Sequence, residues 1–159
     1  MIQKSHDKKE ARIAIFPGSF NPFTVGHASI VERSLPLFDQ IIICIGYNYT
    51  KGEDSANKAK EIANTISELY RDDARVKVIA DAGLTVDVAR RFGAGFIVRG
   101  VRSTVDFEYE RNMADINREI AGIETVLLPA LPELAAVSSS MVRELKHFGV
   151  DVSPYIPKK

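Results

Sequence analysis

The sequence predicts an α/β fold: a single Rossmann-like domain with a five-stranded parallel sheet covered by helices on both faces. Three observations lead there. Short apolar runs rich in β-branched residues recur along the chain, longer stretches of helical period separate them, and the spacings suit βαβ units. No internal repeat or low-complexity linker interrupts the pattern.

The first strand is expected over Arg12–Phe16, ended by Pro17-Gly18, and the first helix over about Gly26–Leu37, closed or bent by Pro36. Gln40–Gly46 carries an unbroken apolar run, Ile41 to Ile45, and reads as a buried strand. A helix over about Asn57–Tyr70 follows, then a strand at Arg75–Ala80 and a helix at Thr85–Phe92. Gly95–Val98 is the fourth strand, and Asp106–Ile120 is a helix that Ser103-Thr104 would cap. Thr125–Leu128 is the fifth strand, and a last helix runs from about Ser139 to Phe148 behind a serine cap. Residues 1–11, polar and rich in charge, are expected to be a flexible tail ahead of one domain over 12–159.

Composition narrows the function. At 159 residues with 45% hydrophobic content, the chain can bury one core. Its 21 Lys and Arg balance 21 Asp and Glu, so no overall field draws it to nucleic acid or an anionic membrane, and anion recognition has to be local. A small anionic substrate fits better than a polynucleotide. The one cysteine, Cys44, lies within an apolar run and is expected to be an inert buried thiol. No segment approaches the roughly 18 apolar residues that span a bilayer, and no apolar core follows the charged start, so a cytoplasmic protein is expected.

In open parallel sheets ligands bind beyond the carboxyl ends of the strands, where strand order reverses. The loops there are the chemically unusual ones. After the first strand, Gly18 and Gly26 allow close main-chain approach to a ligand, and His27 stands at the start of a helix, where unpaired N–H groups suit phosphate. A histidine in that position could also simply cap or pack. After the fourth strand, Arg99-Gly100-Val101-Arg102 sets two guanidiniums around a glycine, a pattern that suits phosphate oxygens and equally a solvated turn. Asp106 and Glu108, in a first helical turn, read as complements to the helix dipole. Val137-Ser138-Ser139-Ser140 reads first as a helix start, and Lys51 as a loop lysine on the ligand side of the sheet.

Taken together these segments carry a resemblance. GSFNPFTVGH, with Thr24-Val25-Gly26-His27 in the TxGH form, followed by RGVR, DFEYE and SSS in that order, resembles the phosphopantetheine branch of the nucleotidyltransferase superfamily over roughly residues 12–157. The resemblance implies transfer of the adenylyl group of ATP to 4′-phosphopantetheine, giving dephospho-coenzyme A and pyrophosphate, with Mg²⁺ arriving with ATP, no metal site of the protein's own, and a homohexamer. It implies that His27, Lys51 and Arg99 are catalytic. ATP would be bound by Ser19, Phe20 and His27, by Gly100, Val101 and Arg102, by Glu110, and by the run Leu134, Ala135, Ala136, Val137, Ser138, Ser139 and Ser140. The acceptor would be bound by Ser19, Lys51, Thr85 and Arg99. Asn112, Asn117 and Arg118 match less specifically. Ser19 stands where the family usually has Thr, Asn21 where it usually has Asp, and residues 129–136 lack the aromatic residue that often precedes the serines. Two other readings stay open: a sister enzyme acting on nicotinamide mononucleotide or an alcohol phosphate, and a non-catalytic nucleotide-binding module.

Overall fold

A computed structural model describes residues 9–159. The expected tail lies largely outside the described residues, and residues 9–11 are exposed with no regular structure. The five strands are β1 (Ile13–Gly18), β2 (Gln40–Gly46), β3 (Val76–Asp81), β4 (Phe96–Val101) and β5 (Glu124–Pro129). They form one parallel sheet in the order β3-β2-β1-β4-β5. The helices are α1 (Val25–Ser34), α2 (Glu53–Leu69), α3 (Thr85–Arg91), α4 (Thr104–Ala121) and α5 (Ser139–His147). Three 3₁₀ turns that the sequence did not announce lie at Tyr49–Lys51, Pro132–Leu134 and Ser153–Tyr155.

Alternation along the strands splits the core between two faces. Ala14, Phe16, Ile41 and Ile43 pack with Ile30 and Val31 of α1 and with Ala59, Ala63 and Ile66 of α2. Ile15, Ile42, Cys44 and Ile97 pack with Val86, Val88 and Ala89 of α3. Burial pushes the Cys44 thiol up to about 11, consistent with the inert thiol expected.

The expected strand ends need correction at the rim. β1 and β4 both run further than their apolar residues do, so Arg99, Gly100 and Val101 lie on a strand and not in a loop beyond it. The ladders explain this. β1 stays paired to β2 through Gly18, and β4 to β5 through Val101, six residues in each case. Between β1 and β4 only Ala14 and Ile15 are paired, opposite Phe96 and Ile97. Above that point the two central strands part, and Pro17, which has no N–H to give, sits where β4 no longer asks for one. The gap opens at the reversal of strand order.

Candidate active site

Two cavities occupy this gap. The larger, about 400 Å³, is lined by the β1 loop, the start of α1, the end of β4 and the start of α5. The smaller, about 250 Å³, lies between the ends of β1 and β4, Thr85 of α3 and the inner side of α4. Pro17, Gly18, Arg99, Tyr109 and Glu110 line both, so the cavities meet along one wall.

Thr24 and His27 form the first wall through a capping box in which histidine takes the place usually held by Glu or Gln. The Thr24 hydroxyl accepts from the His27 backbone N–H, and the Thr24 backbone N–H donates to His27 Nδ1 at 2.9 Å. An Nδ1 that accepts carries no proton, so the neutral ring holds its proton on Nε2. The ring stacks on Phe23 at 5.4 Å and meets Phe20 edge-on at 5.0 Å. His27 therefore caps and packs, and it also lines the larger cavity. Gly26 brings this turn beside the next wall: a Cβ there would stand in ordinary contact, 3.7 Å, with the Val137 carbonyl oxygen, so the space does not by itself demand glycine.

Phe20 is held at φ 47°, a left-handed conformation that costs an aromatic residue roughly 1–3 kcal/mol. Its buried ring packs against Phe16, Phe23 and His27, which offsets that strain. A Cβ on Gly18 would come within 2.9 Å of the same ring, so the glycine is needed for close approach.

Burial, and after it the positive charges of Arg102 and Arg99, lower the His27 pKa to about 4. The ring is neutral near pH 7, and Nε2–H is a donor to any anion in the cavity. In the unfolded chain a histidine titrates near 6.5, so as pH falls the unfolded state takes up the proton first. The stabilisation is complete above about pH 6.5 and is lost progressively as pH falls to about 4. It amounts to at most about 3 kcal/mol. Thermal melts should show that His27→Leu loses less stability than the parent between pH 6.5 and 4. Parallel curves would remove His27 from the acid response.

The arginines form the second wall. Both carboxylate oxygens of Glu110 accept from Arg99, at 2.8–3.0 Å, and Arg99 Nη1 donates to the Pro17 carbonyl. Asp106 accepts from the backbone N–H and the Nε of Arg102, each at 3.1 Å. Asp106 thus does more than complement a dipole. Glu108 lines neither cavity.

The serines form the third wall. Ser138 caps α5 by accepting from the Met141 N–H, and Ser139 donates to the Pro22 carbonyl, 117 residues away in sequence. Arg143 fastens the same junction through the Asn21 carbonyl. The α5 N-terminus therefore faces the start of α1 across the larger cavity.

Of the residues expected from sequence, Ser19, Phe20, His27, Gly100, Arg102 and Glu110 line the larger cavity, with Leu134, Val137, Ser138, Ser139 and Ser140. Thr85 lines the smaller one, and Arg99 lines both. Lys51, Val101, Ala135 and Ala136 line neither. Lys51 is exposed on the turn after β2, and Val101 is paired with Pro129 in the sheet. Sequence reasoning missed Tyr109, which touches both cavities, and Met113 and Ala114 in the smaller one. A signal was present: Glu110, Met113, Ala114 and Asn117 follow the i, i+3, i+4, i+7 spacing of one helix face.

The walls together offer a neutral Nε2–H, two guanidiniums, serine hydroxyls and a helix N-terminus. Such a set can hold a polyanion in the larger cavity and a second anion beside it.

Comparison with known proteins agrees. Residues 15–145 match the cytidylyltransferase-like family. The chain is 51% identical over 147 residues to a phosphopantetheine adenylyltransferase of Phocaeicola vulgatus, covering 92% of this chain and 96% of that one. It is 44% identical over 155 residues to one from Cytophaga hutchinsonii, covering 94% and 99%. Among solved structures, a putative nicotinate-nucleotide adenylyltransferase from Vibrio parahaemolyticus shares the fold, with a TM-score of 0.59 at 19% identity over 93% of this chain and 94% of that one. Two cavities that meet at an arginine, three walls built from TVGH, RGVR and SSS, and half of all residues shared along nearly the whole length lead to one conclusion: the chain belongs to the phosphopantetheine adenylyltransferases, within the cytidylyltransferase-like family.

Proposed function

We propose that the protein transfers the adenylyl group of ATP to 4′-phosphopantetheine, releasing pyrophosphate and forming dephospho-coenzyme A. The observation that carries this reading is the shared wall: two cavities of unequal size meet at Arg99. ATP occupies the larger, against Ser19, Phe20, His27, the Gly100–Arg102 segment and the serines of α5. The acceptor arm occupies the smaller, beside Thr85, with its phosphate toward Arg99.

An oxygen of the acceptor phosphate attacks the α-phosphorus in line, the bond from that phosphorus to the bridging oxygen breaks, and pyrophosphate leaves with the electron pair. The nucleophile is already an anion at neutral pH, so no base is needed and the protein positions the reactants and disperses charge. His27 donates from Nε2 to the phosphate oxygens as charge builds, and Arg102 holds the ATP phosphates. Lys51 reaches the phosphates only if its turn closes over the cavity mouth. Mg²⁺ enters as part of the MgATP substrate; the two carboxylates that line the larger cavity, Asp106 and Glu110, are each engaged by an arginine.

Self-association belongs to the same reading. Along α4, Val105, Phe107, Tyr109, Ile116 and Ile120 are exposed in the single chain, which supports burial against further copies. The resemblance puts their number at six. Among the described residues no helix is long and apolar enough to cross a membrane.

Pyrophosphate release with ATP, Mg²⁺ and 4′-phosphopantetheine tests the reaction, with nicotinamide mononucleotide in a parallel assay. Turnover of phosphopantetheine is expected. Turnover of nicotinamide mononucleotide alone would assign the chain to a sister enzyme, and ATP binding without turnover would make it a binding module.

A further inference from the structure

We propose that Thr125, on the floor of the smaller cavity, is a specificity-determining residue for the acceptor: its hydroxyl turns into the cavity and bonds an amide of the acceptor arm. The inference rests on the reaction proposed above and deepens it by assigning a contact at the end of the cavity away from the phosphate.

A buried atom without a partner is the starting point. Among the described residues, two buried side-chain polar atoms have no hydrogen-bond partner, the Tyr70 hydroxyl and Thr125 Oγ1. Tyr70 lines neither cavity and packs edge-on against Phe23. Thr125 lines the smaller one. A hydroxyl sealed from water with no bond costs free energy that a methyl in its place would not. Valine has the same shape, suits a strand as well, and would pack beside Ile97 without that cost. An orphan hydroxyl in a cavity wall is explained where a ligand completes its bond. Rotation about χ1 exchanges the hydroxyl with the methyl, a group of similar size, so Oγ1 can face the cavity without any movement of the main chain.

The ladder shows which part of an acceptor it would meet. Thr125 is paired with Ile97, and Leu127 with Arg99. Side chains two apart on a strand share a face, so Thr125 stands on the face that carries Arg99, roughly 6–7 Å further from the rim along the strand direction. Asn117 lines the same cavity from α4, about two turns beyond Glu110, the partner of Arg99. Met113 and Ala114 lie between Glu110 and Asn117 on the helix. The cavity thus presents a guanidinium at the rim, apolar side chains along its length and neutral polar groups at its inner end. An anionic acceptor whose uncharged arm carries amides matches that order. A hydroxyl suits an amide, since it can accept from the N–H or donate to the carbonyl.

The test compares Thr125→Val with Thr125→Ser. Thr125→Val should raise the acceptor KM about five- to tenfold, leave the ATP KM within about twofold, and melt at or above the parent's temperature, because the orphan hydroxyl is gone. Thr125→Ser keeps the hydroxyl and should hold the acceptor KM within about twofold of the parent. In the parent, three-bond NMR couplings to the Thr125 methyl should report a change of χ1 rotamer when 4′-phosphopantetheine is added without ATP, so that it binds and does not react.

An acceptor KM that stays within about twofold of the parent in Thr125→Val would overturn the proposal and return Thr125 to a packing role. So would a Thr125→Ser as poor as Thr125→Val, which would assign the effect to shape. A Thr125→Val that melts well below the parent or does not fold would show that the hydroxyl is already bonded in the free protein, and the proposal would fall. Unchanged couplings on binding decide against the contact whether or not either variant folds. Calorimetry of 4′-phosphopantetheine without ATP separates this inference from the reaction. Binding about five- to tenfold weaker in Thr125→Val, beside a parent that releases no pyrophosphate, would sink the reaction and leave the Thr125 contact standing.

Discussion

His27→Ala is expected to lower kcat by about 10²–10³, or roughly 3–4 kcal/mol, while ATP affinity falls by less than about tenfold. The neutral ring, with Nδ1 engaged by the Thr24 N–H, presents a fixed Nε2–H donor, and a preorganised donor is worth most where charge develops during reaction. A donor that served only the ground state would cost nearer 1 kcal/mol and would appear in binding. The variant also loses the capping box and the stack on Phe23, a structural cost of about 1–2 kcal/mol. Calorimetry for ATP, kcat at saturation of both substrates and a melt separate the three effects. A folded variant that turns over within about threefold of the parent would reduce His27 to its capping and packing roles.

The second large effect is expected at Arg99. Arg99→Ala should raise the acceptor KM by about 10- to 100-fold, the worth of a charge-assisted fork to phosphate, with a smaller change for ATP. It should also destabilise the fold, because Glu110 would remain buried and charged without its partner, a loss of about 3–5 kcal/mol when one member of such a pair is removed. The double variant Arg99→Ala/Glu110→Ala should therefore melt above Arg99→Ala yet remain as poor toward the acceptor. A double variant that regained acceptor affinity would show that the stranded carboxylate, and not the missing guanidinium, caused the defect.

How much of this could be seen in the sequence depends on how local the cause is. β2 lies where its apolar run predicts, Gln40 to Gly46, because a central strand is buried on both faces and burial marks every residue. β4 was cut short at Val98 because Arg99 and Gly100 carry no apolar signal, although their main chain stays paired with Leu127 and Leu128. α2 starts at Glu53, four residues before the expected start, since its first turn is polar and its beginning is set by Gly52 at φ 82° and by acidic residues against the helix dipole. At the site, the TVGH, RGVR and SSS segments were readable as motifs. The pairing of Arg99 with Glu110 was not, because it joins a strand to a helix and follows from how α4 packs on the sheet. Lys51 marks the opposite case: its position after β2 suggested the ligand side, and the turn at Tyr49–Lys51 leaves it outside both cavities.

The bonds from Ser139 to Pro22 and from Arg143 to Asn21 span 117 and 122 residues, and they join one wall of the larger cavity to another. During synthesis the first wall emerges from the ribosome more than a hundred residues before its partner is made. Strand β1 must likewise wait for β4. For most of translation the aromatic turn around Phe20 and His27 has only the β1–β2–β3 half of the sheet for support. A nascent chain stalled with residues 1–130 outside the tunnel could then carry all five strands and still bind no nucleotide, so competence to bind should arrive with the last helix.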